Sequence, residues 1–482
     1  MRKIASIGIF LFISLLQGQN CDCLSTFNWV KDTFEKNDAG FSHIINSKGK
    51  DSYEKLTSRI TEITSTINDN YECRDAITNW LSFFRSGHLR LRVKENRPND
   101  PPPKEPSEIE IIEKFKNWDT LDFDLVEFKK YLNDKKDIDF EGIWVNGPYE
   151  IGIKKVNDNY EGFIIKADGI YWRAGQLKLK IKKDSSSIYY MRDHSVEKFN
   201  TTKMLGNNFL EMGFVTLERK FPVIQKDQNI ERYYRLSRAE KPFIENVNQN
   251  TLLIRIPSFS GRFKKDIDSV IANNRNRILN TKNLIIDLRD NGGGSDRSFQ
   301  SLIPIIYTNP IRSIGVEYLS TKLNNQRMLD FIEDPSYNFT EEDKKWAKES
   351  YDKLDKNIGK FVNLKSRIVS ITNFKDVHRY PENVGIIINS NNASTSEQFL
   401  LLAKQSKKVK LFGTVTDGIL DISNMYFVES PCGDFELGYG LSRSMRIPEI
   451  TVDSKGISPD YYMDEKIPKY KWVEYVSYVL NH

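Results

Sequence analysis

Ser394 stands where a short apolar run, Val384-Gly385-Ile386-Ile387-Ile388-Asn389, gives way to Asn391-Asn392-Ala393-Ser394-Thr395-Ser396-Glu397. A hydroxyl lifted onto a strand-to-helix corner is exposed. The backbone N–H of the next residue, Thr395, then points to where a developing oxyanion would lie. Earlier in the chain, Asn283-Leu284-Ile285-Ile286-Asp287-Leu288-Arg289-Asp290-Asn291-Gly292-Gly293-Gly294-Ser295 runs from a second apolar strand into a glycine triplet. Such a triplet bares backbone N–H groups at the strand's end. A hydroxyl nucleophile facing bare amides is the arrangement that acyl transfer needs. Both motifs also have a plainer reading. Ser394 to Glu397 satisfies a capping box, and a glycine triplet can simply be a tight turn. Nucleotide binding is excluded by the lack of Gly-Lys-Ser or Gly-Lys-Thr, and of a Gly-x-Gly-x-x-Gly opening a helix.

A serine nucleophile needs a base. Of five histidines, His482 is terminal, His43 and His194 fall in segments that read as surface, and His378 is in a charged loop. His88 follows Ser86-Gly87 at the junction of an apolar helix and a strand, where an isolated histidine is more often structural than catalytic.

These residues need elements to hold them. Residues 24–88 read as helical, with apolar positions three and four apart: Phe27, Val30, Phe34; Ile60, Ile63, Ile67; Ile77, Trp80, Leu81, Phe84. Leu89 to Val93 alternates like a strand. A stiff linker, rich in proline from Pro98 to Pro106, precedes a helical stretch from Ser107 to Asn133. Residues 139–225 hold short alternating strands separated by turns such as Asn157-Asp158-Asn159, predicting a small antiparallel barrel or sandwich. From Ser237 onward strands and helices alternate: strand Leu252 to Ile256, helix 263–279, strands 283–289 and 384–389, helix 395–405, strand 409–412. This predicts an α/β core. Residues 320–365 read as a charged helical insertion.

The bulk properties agree with a multi-domain globular protein. The chain has 482 residues, 39% hydrophobic and 28% charged. Its 71 basic residues nearly balance 66 acidic ones, without a basic block or stripe, so nucleic acid is not an expected partner. Met1-Arg2-Lys3, the apolar stretch Ile4 to Leu16 and Gln17-Gly18-Gln19 read as a secretory signal peptide, and no segment is long enough for a stable membrane span. In an oxidising compartment Cys73 is expected to pair with Cys21 or Cys23, while metal-ligand spacing is lacking.

Taken together, Leu284 to Gly294 and Ala393 to Glu397 resemble the tail-specific, or C-terminal-processing, family of serine peptidases. Gly413-Thr414-Val415-Thr416-Asp417-Gly418 and Gly456-Ile457-Ser458-Pro459-Asp460 follow in the right order. The resemblance covers about 235–480 and implies a crotonase-like ββα arrangement in the core. It implies Ser394 as nucleophile, with Gly293 and Thr395 supplying the oxyanion hole. One departure is decisive. The bacterial processing proteases carry a lysine base after the Thr-x-Gly element, but here Ile419 stands there, and isoleucine accepts no proton. The chain therefore is similar to the tricorn-core-like and retinoid-binding-protein-like branch, in which a histidine from an N-terminal helical segment replaces the lysine. Phe84-Arg85-Ser86-Gly87-His88 matches that context and makes His88 the candidate base. Gly87 occupies the place of the serine that precedes the tricorn-core histidine. Asp453, ahead of Gly456, is the candidate for the acid that orients it. Where many relatives carry a PDZ domain, residues 139–225 read as a different β-domain.

The sequence therefore predicts a signal peptide at 1–20, a helical segment carrying the base at 21–95, and a linker with a helix at 96–138. A β-rich accessory domain at 139–230 and a catalytic core at 235–482 complete it. The expected activity is hydrolysis of peptide bonds in extended polypeptides by an exported, periplasmic or secreted bacterial serine peptidase, with no cofactor or metal. The alternative is an inactive pseudopeptidase that binds a peptide or an apolar ligand.

Overall fold

The computed structural model describes residues 22–94, 106–337, 339–365 and 367–482. The expected signal peptide, Cys21 and the proline-rich stretch up to Glu105 lie outside the described residues. Two compact units form. One holds the described residues up to Lys94 with Ala239–Ile467 and Tyr475–His482. The other holds the described residues from Pro106 to Arg238 with Pro468–Glu474.

The first unit is built on a six-stranded sheet. Its strands lie in the order Phe243–Asn248, Thr251–Arg255, Asn283–Asp287, Asn383–Ile388, Val409–Gly413, Tyr461–Tyr462. The first pair is antiparallel and the others are parallel. Thr251–Arg255 and Asn283–Asp287 are buried at every position. Covered on both faces, such strands read as unbroken apolar runs without alternation. Helices Lys264–Asn273 and Thr395–Ala403 contribute Ile267, Ile271, Phe399 and Leu400 to a core shared with Leu284, Ile286, Val384 and Ile386. The helix expected over 263–279 breaks at Asn274 into Lys264–Asn273 and Arg275–Ile278. Asp287 pairs in register with Ile387. The two central strands therefore end at one edge of the sheet, and the glycine triplet and the Ser394 corner emerge there side by side.

Four helices, Cys23–Asn37, Phe41–Lys48, Lys50–Thr64 and Asn70–Ser82, pack against a second, antiparallel sheet. Phe27, Phe34, Trp80 and Phe84 interlock with Leu437, Tyr439 and Leu441 from the strand Phe435–Ser444. Cys23 bonds Cys73, joining the first and fourth helices, and among the described residues Cys432 is free. Arg90–Val93 and Ile422–Glu429 both pair antiparallel with Phe435–Ser444. This brings the turn after the fourth helix, which carries His88, to the beginning of Ile422–Glu429. Within the expected insertion, helices Lys322–Glu333 and Glu341–Asp355 form, the latter opened by a Thr340–Asp343 capping box.

The second unit is a nine-stranded antiparallel sheet curled into a nearly closed barrel. Its order is Val196–Phe199, Ser187–Tyr190, Leu177–Ile181, Asn159–Lys166, Tyr149–Val156, Gly142–Asn146, Val215–Phe221, Phe209–Met212, Thr202–Leu205. Trp144, Ile151, Ile164, Trp172, Leu179 and Leu217 fill it. The stretch expected as one helix from Ser107 to Asn133 is two, Glu108–Lys114 and Leu125–Asp134. Trp118, between them, donates its indole N–H to the Leu177 carbonyl, and Asp124 accepts from the Val126 and Glu127 amides to start the second helix. His194, read as surface, is 5% exposed and stacks between Phe115 and Trp172.

Candidate active site

Ser394 sits at the corner with φ 56° and ψ −120°. A non-glycine residue in that region costs about 1–3 kcal/mol and persists only when its surroundings enforce it. Here the Ser394 N–H donates to the Ile419 carbonyl at 2.8 Å and to Glu397 Oε2 at 3.2 Å. Glu397 is fully buried and does more than cap a helix. Its carboxylate also accepts from Thr416 Oγ1 at 2.5 Å, Gly418 N at 2.8 Å and Ile419 N at 2.9 Å. One carboxylate thus ties the serine corner to the 416–419 loop. Burial pushes the Glu397 carboxyl above its ordinary pKa, against the pull of those hydrogen bonds.

His88 comes from 306 positions away in the sequence, and its Nε2 lies 3.1 Å from Ser394 Oγ. Its Nδ1 is 2.5 Å from the Ile422 carbonyl oxygen. A carbonyl oxygen can only accept, so Nδ1 carries the proton and the lone pair of Nε2 faces the serine hydroxyl. Desolvation, followed by the nearby Arg85 charge, holds the imidazole below its ordinary pKa, opposed by the bond to Ile422. The ring is therefore neutral at neutral pH. His88 itself has φ 52°, and Arg85 secures that turn by donating to the carbonyls of Gly87 and His88 at 3.1 Å each. Asp38 grips the Arg85 guanidinium in turn, and both side chains are almost wholly buried. At Gly87 an added Cβ would fall 2.3 Å from the Ile419 side chain. Ile419 packs directly beneath the histidine turn.

Asp453 does not touch the imidazole, in contrast to the expected acid–histidine contact, because Ile422 already takes the one proton Nδ1 can donate. Its carboxylate instead accepts from the backbone N–H groups of Leu420 and Asp421 at 2.6 Å each and Ile422 at 3.3 Å. It fixes the segment whose carbonyl orients His88, one step behind the ring. Desolvation raises its pKa.

Gly293 abuts the serine corner. A Cβ there would lie 2.7 Å from the Ala393 carbonyl oxygen, 2.8 Å from Thr395 N and 2.9 Å from Ser394 Cβ, and φ is +100°. Thr395 opens its helix, so its N–H has no intrahelical acceptor, and its nitrogen borders this gap. The Gly293 N–H, by contrast, donates to Asn291 Oδ1 at 3.0 Å. Asn291 is fully buried and organises the loop. Its Oδ1 also accepts from Phe259 N, its Nδ2 donates to the Ile256 carbonyl, and its own carbonyl accepts from Ser396 Oγ at 2.7 Å and Asn392 Nδ2 at 3.1 Å. Asp296, just past the triplet, hydrogen-bonds the Thr395 side chain, and desolvation raises its pKa. Sequence reasoning missed Asn291, Asn392, Asp296 and the Ile422 carbonyl. An Asn preceding a glycine run was the one available signal.

Ser394, His88, Thr395 and Gly293 thus meet at one point, with Asp453 behind the histidine. Among the described residues no cluster of His, Cys, Asp or Glu is placed to hold a metal ion, and no helix is long and apolar enough to cross a membrane.

Residues 250–463 match the model of peptidase family S41. No curated protein matches the sequence. Among solved structures, mature CPAF complexed with lactacystin is 13% identical, covering 95% of this chain and 97% of that one with a TM-score of 0.51. Mature CPAF is 12% identical over 95% of this chain and 96% of its own, with a TM-score of 0.49. The photosystem II D1 C-terminal processing protease is 12% identical, covering 96% and 97%, with a TM-score of 0.39. At these identities the likeness to the lactacystin complex is one of fold.

Proposed function

We propose that the chain is a serine-type peptidase in which Ser394 is the nucleophile and His88 the general base, acting on extended polypeptides. The observation that carries this reading is the 3.1 Å approach of Nε2 to the serine hydroxyl, with the tautomer set by the Ile422 carbonyl. In the first step Ser394 Oγ bonds to the scissile carbonyl carbon and its proton passes to Nε2. The carbonyl oxygen gains the negative charge and lies against the Thr395 N–H and the glycine loop. The imidazolium then gives its proton to the departing amine, leaving an acyl-enzyme. A water molecule, deprotonated by Nε2, attacks the ester and releases the acid. An oxyanion donor of this kind contributes about 3 kcal/mol to lowering the barrier. The base is a histidine where the bacterial processing proteases use lysine, and the core carries the crotonase-like arrangement that the resemblance implies. Export to an oxidising compartment belongs to the same reading and is supported by the Cys23–Cys73 disulfide.

One observation favours a second reading, a peptide-binding pseudopeptidase: the Gly293 N–H is already committed to Asn291 Oδ1. A fluorophosphonate probe separates the two. Covalent labelling of the wild type, absent in Ser394→Ala and strongly slowed in His88→Ala, is the expected result. Absence of labelling in the wild type from mildly acidic to alkaline pH would exclude the hydrolytic mechanism.

A further inference from the structure

The opposite edge of the central sheet from Ser394 carries a second polar site. A cleft of about 390 Å³ opens there, lined by Lys407, Lys408, Lys410, Arg379, His378 and Glu382 among others. Lys408 and Asn383 stand at the start of strands whose far ends lead to the serine corner, roughly 20 Å away at the usual rise of a strand. Charge in the cleft is one-sided. Four cationic residues line it with one carboxylate, Glu382, whose contact with Arg379 is a loose 3.9 Å. His378 does not relieve the excess, since its Nε2 lies 3.1 Å from the Arg275 guanidinium.

Lys408 is the informative residue. Its Nζ is shielded from solvent, and among the described residues nothing accepts a hydrogen bond from it. The backbone around it is fixed: the Lys408 carbonyl accepts from Val384 N at 2.8 Å, and the Lys407 N–H donates to Thr308 Oγ1 at 2.9 Å. An amine held in a desolvated place with no acceptor is costly unless an anion meets it. Burial alone brings its pKa down to about 8, and a bound anion would reverse that shift. The volume falls in the range of small-molecule pockets, about 300–1,000 Å³.

We propose that this cleft is an anion-binding site, separate from the Ser394 centre, taking a small molecule that carries a phosphate-type oxyanion. Lys408 donates to the anion from below, while Arg379, Lys407 and Lys410 close round it from the rim. The ligand is either the free anion or a phosphate monoester whose organic part occupies the remaining space.

Thermal unfolding and titration calorimetry of the full chain test this with inorganic phosphate and glycerol 3-phosphate, ionic strength being held constant with chloride. Wild type should show saturable binding of phosphate, and Lys408→Met should weaken it by about tenfold or more, the usual loss for one charge-assisted hydrogen bond. Tighter binding of the monoester identifies it as the ligand class, whereas equal binding identifies the free anion. If Lys408→Met fails to fold, the surface double variant Arg379→Gln/Lys410→Gln should lose affinity to a similar degree. The proposal is overturned if phosphate does no more than chloride at equal ionic strength, or if the folded variants titrate like the wild type.

Discussion

Two neighbouring glycines provide a sharp test of the site's geometry. Replacing Gly293 by alanine puts a methyl group within 2.9 Å of Ala393 O, Thr395 N and Ser394 Cβ, two of them backbone atoms that cannot swing aside. The loop cannot retreat either. The Gly293 amide is bonded to Asn291 and its carbonyl to Phe259 N at 3.1 Å, and a Cβ on Gly294 would already meet the Phe259 backbone at 2.3 Å. The serine corner must therefore shift by several tenths of an ångström, and the methyl occupies the space in front of the Thr395 amide. Loss of the proposed oxyanion stabilisation would cost about 10²–10³ in rate, and the backbone strain at φ +100° adds about 1–3 kcal/mol of instability. Gly292→Ala is the control, because a Cβ there meets nothing within 4 Å. The assay is the second-order rate of fluorophosphonate labelling and peptide hydrolysis, with melting temperature measured alongside. Gly293→Ala should fall by at least about 10² while Gly292→Ala stays close to wild type. Equal rates in both variants, or Gly293→Ala within a few-fold of wild type, would refute the argument.

Four further outcomes are expected. The rate of Ser394 labelling should rise with pH through a midpoint below 6.5, because the neutral His88 imidazole is the proposed base and its pKa is lowered. A midpoint at or above that value contradicts the desolvation argument. The same shift makes the fold lose stability as pH falls below 6.5, since the unfolded chain takes up the proton first. That loss levels off below the folded pKa, and denaturant midpoints across pH in wild type and His88→Gln would show it. Glu397→Gln turns an amide N–H₂ toward donors that the carboxylate now accepts from, so calorimetry should show about 2–3 kcal/mol lost; an unchanged melting temperature would contradict it. Asp453→Asn should slow labelling less than His88→Ala and move the pH midpoint downward only slightly, because Asp453 holds the amides of Leu420, Asp421 and Ile422 and acts on the ring only through its nearby charge, which raises the imidazole pKa less than the bond to Ile422 does. An upward shift of the midpoint would contradict this.

The parallel strands were legible because burial on both faces leaves an unbroken apolar run, as in Leu284 to Asp287 and Val384 to Ile388. The barrel strands were legible for the opposite reason, their alternation and the turn residues between them. Helix interruptions were less so. The 107–133 stretch splits because Trp118 packs against the barrel core and Asp124 restarts the helix, and only the first of these depends on tertiary packing. His194 reads as surface among charged neighbours, yet two aromatic rings from distant segments enclose it.

By itself the sequence determined the local parts of the site: a serine on a strand-to-helix corner, a glycine loop after a buried strand, and an isoleucine after the Thr416-Asp417-Gly418 element. Those depend on residue type and short-range periodicity, which a chain carries along its length. Tertiary structure alone decided that Nδ1 of His88 is met by the Ile422 carbonyl, that Asp453 works through three backbone amides, and that Asn291 holds the Gly293 N–H. These partners are mostly backbone groups, which every residue possesses and no residue type marks. Only the register between strands and the closing of loops determines which of them meet.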